Sequence, residues 1–294
     1  MTVSEDHKIV TEALSLSYGT MTVLPDLSIG VEAGRVTSLV GRNGCGKSTL
    51  LRCIGRLLPA TSGSIVLDGK AIAGYAPKEL ARRMAMLPQG PTAPEGMTVH
   101  DLVEKGRYPH RGLLGTSSEH DRERIEWALE QTGMAELADR PLERLSGGQR
   151  QRAWIAMALA QDTSTILLDE PTTYLDVAYQ LELMELLRRL NAEHGTTILM
   201  VLHDLNQAAA FSDRLIALRA GELYAVGSPQ EVLTVQMVRD VFGLHADVIA
   251  DPRTGSPLCL PYALADQDTP HDPDTRKDQD VPQEQGAPKI PAVR

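Results

Sequence analysis

The chain has 294 residues, 42% of them hydrophobic but only 4% aromatic, and a formal net charge of -10. That length suits one α/β folding unit with a sizeable aliphatic core. The acidic balance excludes a general nucleic-acid binder, whose affinity needs clustered Lys and Arg. No apolar run approaches membrane-spanning length. Met1–Lys8 carries Glu5 and Asp6 and no apolar segment, so no secretory leader is expected. Cys45, Cys53 and Cys259 lack the pattern of a disulfide framework or a close-spaced metal motif. A reduced, cytosolic protein is expected.

In chain order, residues 9–31 read as strands, with partial alternation over Ile9–Leu16. After Gly34, Val36–Val40 is a short apolar strand. A helix is expected from about Lys47 to Leu58, with Leu50, Leu51, Ile54 and Leu58 on one face and Pro59 closing it. Residues 91–160 are helical and charged and are expected to form a helical subdomain. The α/β pattern resumes at Thr165–Leu168, apolar enough for a strand buried on both faces of a parallel sheet. A helix over Val177–Leu190, with Leu181, Met184, Leu187 and Leu190 toward the core, leads to a strand over Thr196–Leu202. Arg214–Val226 reads as a hairpin turning at Ala220-Gly221. Past Leu260 the composition shifts. Gln267–Arg294 is rich in Asp, Gln and Pro and too poor in large apolar residues to offset its ordering entropy, so a disordered tail is expected.

Four elements in this order carry chemistry. Gly41-Arg42-Asn43-Gly44-Cys45-Gly46-Lys47-Ser48 fits G-x-x-x-x-G-K-[ST] between an expected strand and an expected helix, the context a phosphate loop requires. The glycines let successive N–H groups face phosphates, and the helix adds its positive end. Gly41 through Thr49 are therefore candidate nucleotide-binding residues, with Lys47 reaching the β- and γ-phosphates and Ser48 ligating Mg2+. Leu145-Ser146-Gly147-Gly148-Gln149 precedes a helix whose N-terminus suits either a second anion site or a plain start capped by Ser146. Asp169 and Glu170 end an apolar strand, where paired carboxylates are costly unless they meet cations or donors. Asp169 is the candidate Mg2+ partner and Glu170 the candidate base for an attacking water. His203 ends the last apolar run, a position that alone also suits a structural role. Cys45 lies beside Lys47, and a helix N-terminus and a cation lower a thiol pKa; thiol reagents blocking ATP binding and a buried, inert Cys are the two readings.

Together these elements resemble the ATP-binding subunit of an ABC transporter over about Ile9 to Leu260. The resemblance implies an α/β fold: a phosphate-loop nucleotide-binding core with a mainly parallel sheet, an antiparallel β subdomain and the helical subdomain, over residues 1–266. It implies ATP hydrolysis with Mg2+, His203 on the γ-phosphate, and Gln89 of Leu87-Pro88-Gln89 on Mg2+ or the attacking water. Tyr18 would stack on adenine. Ser146, Gly147, Gly148 and Gln149 would face the nucleotide of a partner subunit, in a head-to-tail dimer of two copies or with a related ATPase. Asp176, in Tyr174-Leu175-Asp176, would lie in the loop linking the two sites. Without the resemblance Gln89 is an ordinary loop residue, Tyr18 a surface strand end and Asp176 a helix N-cap. Tyr174 departs from the small residue most of the family carries.

Met97–Val103 leading into Gly106-Arg107-Tyr108-Pro109-His110, with Thr172–Asp176 later, is most similar to importer ATPases for ferric siderophores, a branch that includes cobalamin and haem importers. This implies a peripheral protein on the cytoplasmic face of the inner membrane, bound to integral permease subunits near residues 90–112. It would serve a substrate-binding protein indirectly and contact no nucleic acid. Another cargo, such as cobalamin, haem or a metal ion, is the first alternative. A non-transport ABC ATPase is the second, opposed by the charge and the single nucleotide unit.

Overall fold

The computed structural model describes residues 7–112 and 117–265. A four-stranded antiparallel sheet runs β2-β1-β4-β5, with β1 His7–Tyr18, β2 Met21–Glu32, β4 Ser62–Leu67 and β5 Lys70–Ala71. A six-stranded sheet runs β10-β9-β3-β8-β7-β6. Its strands are β3 Val36–Val40, β6 Met84–Leu87, β7 Thr165–Asp169, β8 Thr197–Val201, β9 Arg214–Arg219 and β10 Glu222–Gly227. Only β10 pairs antiparallel here. The β9–β10 hairpin turns at Ala220 and Gly221, whose φ values of 49° and 86° suit the tight turn that matches strand twist.

Strands β3, β7 and β8 are buried at every position. Their side chains alternate between two cores, which is why the sequence shows no polar–apolar alternation there. Val36, Val40, Ile166, Leu168, Ile198 and Met200 enter the core shared with the helices. Leu39, Leu167, Leu199 and Val201 enter the core shared with the antiparallel sheet.

Helix α1, Lys47–Ile54, stops four residues short of Leu58, because Gly55 caps it and Arg56 turns to φ 57°. Leu50, Leu51 and Ile54 are buried as expected, whereas Leu58 is only half-buried outside the helix. The short α2, Pro77–Ala81, precedes β6. Among the described residues of 91–160 the α-helices are α3 Val99–Lys105, α4 Glu119–Gln131 and α5 Gly147–Ala160. Each begins with a reciprocal capping box, Thr98/Asp101, Ser118/Asp121 and Ser146/Gln149. Helix α6, Val177–His194, runs four residues past Leu190 to Gly195, which takes the left-handed conformation. Its buried face is Leu183, Met184, Leu186, Leu187 and Leu190, and Leu181 is 48% exposed. Leu181 falls about 150° from the centre of that stripe at the helical period, so its expected core position is corrected.

The remaining elements are α7 Leu205–Phe211, α8 Pro229–Val232, α9 Val235–Met237 with a π-helical turn over Val238–Phe242, and a hairpin of β11 Leu244–Ala250 and β12 Pro257–Leu264. Strand β12 thus continues past Leu260, where the composition shifts. The tail expected over Gln267–Arg294 lies outside the described residues.

One buried ion pair ties the helical region together. Arg107 Nε donates to Asp121 Oδ1 at 2.7 Å, and Arg107 Nη1 donates to the Ala160 carbonyl at 2.9 Å, at the last residue of α5. A ring nitrogen of His110 meets the Gln161 carbonyl at 2.8 Å, and Gln161 Nε2 donates to the Ala81 carbonyl at 2.6 Å and the Met84 carbonyl at 3.2 Å. Burial pushes the Asp121 carboxyl up, but the Ser118 N–H, the Arg107 guanidinium and the Ser118 hydroxyl outweigh it and hold its pKa at about 2. Depression from 3.8 to about 2 corresponds to about 2 kcal/mol of stability. That stability is present above the ordinary carboxylate pKa and lost as pH falls through about 2. Arg107→Met leaves the carboxylate buried without its cation and is expected to destabilise the fold by about 3 kcal/mol, read by chemical denaturation.

Candidate functional site

Strands β3, β8, β7 and β6 are neighbours and parallel, so their C-terminal ends open on one edge of the sheet, where open α/β sheets bind ligands. The sequence places Gly41–Ser48 after β3, His203 after β8, Asp169 and Glu170 at the end of β7, and Gln89 after β6. The structure brings them to one open cleft of about 500 Å³, lined by Asn43, Gly44, Gly46, Lys47, Ser48, Thr49, Gln89, Glu170 and His203.

The loop after β3 needs its glycines. Gly41 has φ 148°, and a Cβ there would lie 2.4 Å from the Leu218 carbonyl oxygen. Gly46 is the left-handed N-cap of α1, and a Cβ there would press on Leu24 at 2.6 Å. Lys47 is buried, and its Nζ donates to the carbonyls of Gly41 at 2.6 Å and Arg42 at 3.0 Å, which folds the cation into the loop. Cys45 is buried, with Sγ 3.9 Å from Lys47 Nζ, so a thiol reagent reaches it only if the loop opens.

Ser48 Oγ donates to Asp169 Oδ1 at 2.7 Å. Asp169 is 1% exposed, and its Oδ2 accepts no hydrogen bond and stands 3.6 Å from Arg52 Nε. Burial pushes the Asp169 carboxyl up, against the pull of Ser48 and Arg52. A buried carboxylate oxygen without a donor, beside a serine hydroxyl and a glutamine amide, is a hard-oxygen set that fits Mg2+.

Glu170 is clasped from two sides. His203 Nε2 lies 2.6 Å from Oε1, Gln89 Nε2 donates to Oε2 at 2.6 Å, and Thr173 Oγ1 reaches Oε2 at 3.4 Å. The His203 side chain is 44% exposed. Glu170 itself adopts φ 53°, a conformation rare for a residue with a side chain, which turns the chain sharply as β7 ends. The loop beyond is pinned by Gln151 of α5, whose Nε2 donates to the Pro171 carbonyl at 3.1 Å, and by Gln180 of α6, whose Nε2 donates to the carbonyls of Thr172 at 3.3 Å and Leu175 at 3.1 Å. An amide and an imidazole thus hold one carboxylate at the cleft, an arrangement able to orient and deprotonate a water.

Other expected site residues lie elsewhere. Ser146, Gly147, Gly148 and Gln149 start α5 outside the cleft lining; Ser146 Oγ accepts the Gln149 N–H at 3.2 Å, and Gln149 Oε1 accepts the Ser146 N–H at 3.1 Å. Asp176 caps α6, accepting the Tyr179 N–H at 3.0 Å, so its N-cap reading holds. Tyr174 is 78% exposed at φ 69°, beside Gly147 and Gly148. The Tyr18 backbone ends β1 opposite Met21; its side chain is outside the described structure. The sequence reading missed Met21 and Val23, which form an apolar wall of the cleft next to the phosphate loop, and Arg52 beside Asp169. Arg52 had a usable signal: it lies four residues past Ser48, on the same face of α1.

A parallel sheet with this loop, this Ser–Asp pair and this clasped carboxylate on one edge defines a phosphate-loop nucleotide hydrolase. The sequence pattern of the ABC transporter family matches residues 24–173. The chain belongs to that family, as one of its ATP-binding, ATP-hydrolysing subunits. It is 52% identical over 258 residues, 88% of this chain and 96% of the relative, to the iron(3+)-hydroxamate import ATP-binding protein FhuC of Bacillus subtilis (strain 168). It is 48% identical over 250 residues, 85% of this chain and 92% of the relative, to the ferric enterobactin transport ATP-binding protein FepC of Escherichia coli (strain K12). Among solved structures, an inward-facing conformation described as a metal-chelate type ABC transporter superposes with TM-score 0.74 at 27% identity, covering 87% of this chain and 98% of that one. Among the described residues no helix is long and apolar enough to cross a membrane.

Proposed function

We propose that this chain hydrolyses ATP to energise import of a ferric siderophore through a separate membrane permease. The clasp of Glu170 by Gln89 and His203 at the mouth of the phosphate-loop cleft carries the hydrolytic part. The similarity to two ferric-chelate import subunits over most of both chains supports the cargo. Residues 1–266 form the ATP-binding domain, with residues 91–160 as its helical subdomain and 267–294 as a tail.

In this reading Tyr18 stacks on the adenine base, and Met21 and Val23 give the cleft an apolar wall. The backbone N–H groups of Gly41 to Thr49, with the Lys47 amine released from the Gly41 and Arg42 carbonyls, hold the phosphates. Ser48, Asp169 and Gln89 would hold Mg2+. Bound there, Mg2+ would neutralise charge on the phosphate oxygens. Glu170 takes the proton of the attacking water, and His203 fixes the carboxylate and contacts the γ-phosphate.

Ser146, Gly147, Gly148 and Gln149 are not among the residues lining this chain's own cleft, and in this reading they serve the nucleotide of a second subunit, a copy or a relative. Asp176 and Tyr174 lie at that same junction. Residues 90–112 meet the permease on the cytoplasmic face of the inner membrane, and a substrate-binding protein is engaged only through it. Nucleic acid plays no part.

The test is uptake of radiolabelled ferric siderophore in cells lacking this gene, complemented with the wild type or Glu170→Gln. Uptake restored by the wild type alone is the expected result. Uptake that survives deletion assigns the chain to another cargo.

A further inference from the structure

We propose that the β11–β12 hairpin is a brace that positions His203, acting through Asn206. The proposal rests on the role given to His203 above. His203 stands in a short link between β8 and α7, so its place follows that of α7. This helix has only seven residues, and its first turn is capped by Asp204, whose Oδ1 accepts the N–H groups of Asn206 at 2.8 Å and Gln207 at 2.9 Å. So short a helix has little stability of its own and takes its position from what it packs on.

Its C-terminal end is held by Ser212, whose Oγ lies 2.7 Å from Ser38 Oγ, and two side-chain contacts hold its first turn, the end next to His203. Gln207 Nε2 donates to Gln180 Oε1 at 3.3 Å, and Gln180 in turn holds the Thr172 and Leu175 carbonyls. That contact ties α7 to the loop that follows Glu170. The other contact is independent of the site. Asn206 Oδ1 accepts the Cys259 N–H at 2.7 Å, and Asn206 Nδ2 donates to the Cys259 carbonyl at 3.0 Å. One amide side chain thus meets both polar groups of one residue of β12, as a ladder partner would. Ala246 and Cys259 of the hairpin are buried in the same core as Ala208 and Ala209 of α7. At the hairpin's base the Ala265 N–H donates to the Gly243 carbonyl at 2.9 Å, which closes it. The hairpin lies beyond residue 173, where the matched family pattern ends.

Asn206 is therefore a positioning residue. It fixes the first turn of α7 against β12 and so keeps His203 Nε2 at 2.6 Å from Glu170. A displacement of about 1 Å at a reacting group is enough to cost up to about 100-fold in rate.

The experiment is steady-state ATP hydrolysis by the purified full chain and by His203→Ala, Asn206→Ala and the double variant. Asn206→Ala is expected to lower kcat about tenfold with KM within about twofold. The double variant is expected to turn over no more slowly than His203→Ala alone, because the lost contact matters only through the imidazole. Wild-type kcat in Asn206→Ala, or its full effect repeated in the His203→Ala background, overturns the brace. Where Asn206→Ala does not fold, Asn206→Asp, which keeps the acceptor for the Cys259 N–H and loses the donor, replaces it in the same cycle under the same criteria. Wild-type turnover in His203→Ala overturns the role of His203 itself, and the brace with it.

Discussion

Glu170→Gln is expected to bind MgATP as the wild type does and to turn it over about 10² to 10⁴ times more slowly. The substitution keeps the shape of the side chain and one carbonyl oxygen for the Gln89 amide, so the clasp can persist around it. What it removes is the basic oxygen at which a water would lose its proton. Nucleotide affinity comes from the phosphate loop, on a different strand, and should change little. The ATP-bound state then persists, and size-exclusion chromatography in MgATP should show a stable two-subunit species. Hydrolysis at a near-normal rate would refute the assignment of Glu170 as the base.

Lys47→Ala should fail at an earlier step, in nucleotide binding. In the structure the Lys47 amine bonds to two carbonyls of its own loop, 2.6 and 3.0 Å away, so its loss removes both a phosphate partner and a tie that shapes the loop. Losing charge-assisted contacts of this kind costs about 3 kcal/mol, a weakening of about 100-fold. Calorimetric titration with ATP reads it directly. Binding at wild-type strength would remove the phosphate-loop reading altogether.

Much of this site is legible in the sequence because its chemistry demands fixed spacing. The loop from Gly41 to Ser48 is contiguous, and Asp169 with Glu170 closes a strand buried on both faces and apolar from Ile166 to Leu168. Convergence on one edge follows once those strands are parallel neighbours. The Glu170 clasp was less legible, since Gln89 and Glu170 are separated by 81 positions and only the strand order β7-β6 brings them together. Three details escaped for local reasons. Helix α1 ends early because Gly55 and Arg56 break it before Pro59 can. Leu181 faces out because α6 packs a stripe centred nearer Leu187. The β11–β12 hairpin went unread because β12 carries Pro261 and a run of exposed residues, which hides its pairing with β11.

Helix α5 joins two things that the chain keeps far apart. Its first turn is the Ser146–Gln149 cap, and its last carbonyls are gripped by Arg107 and His110. Fourteen residues of uninterrupted helix make a rod about 21 Å long. Over that length a tilt of about 3° about the gripped end would displace the first turn by about 1 Å. With Gln151 tying the other half of the helix to the Pro171 carbonyl, α5 is a strut between the Arg107 grip and the loop after Glu170, and the standing place of the glycine turn depends on both ends.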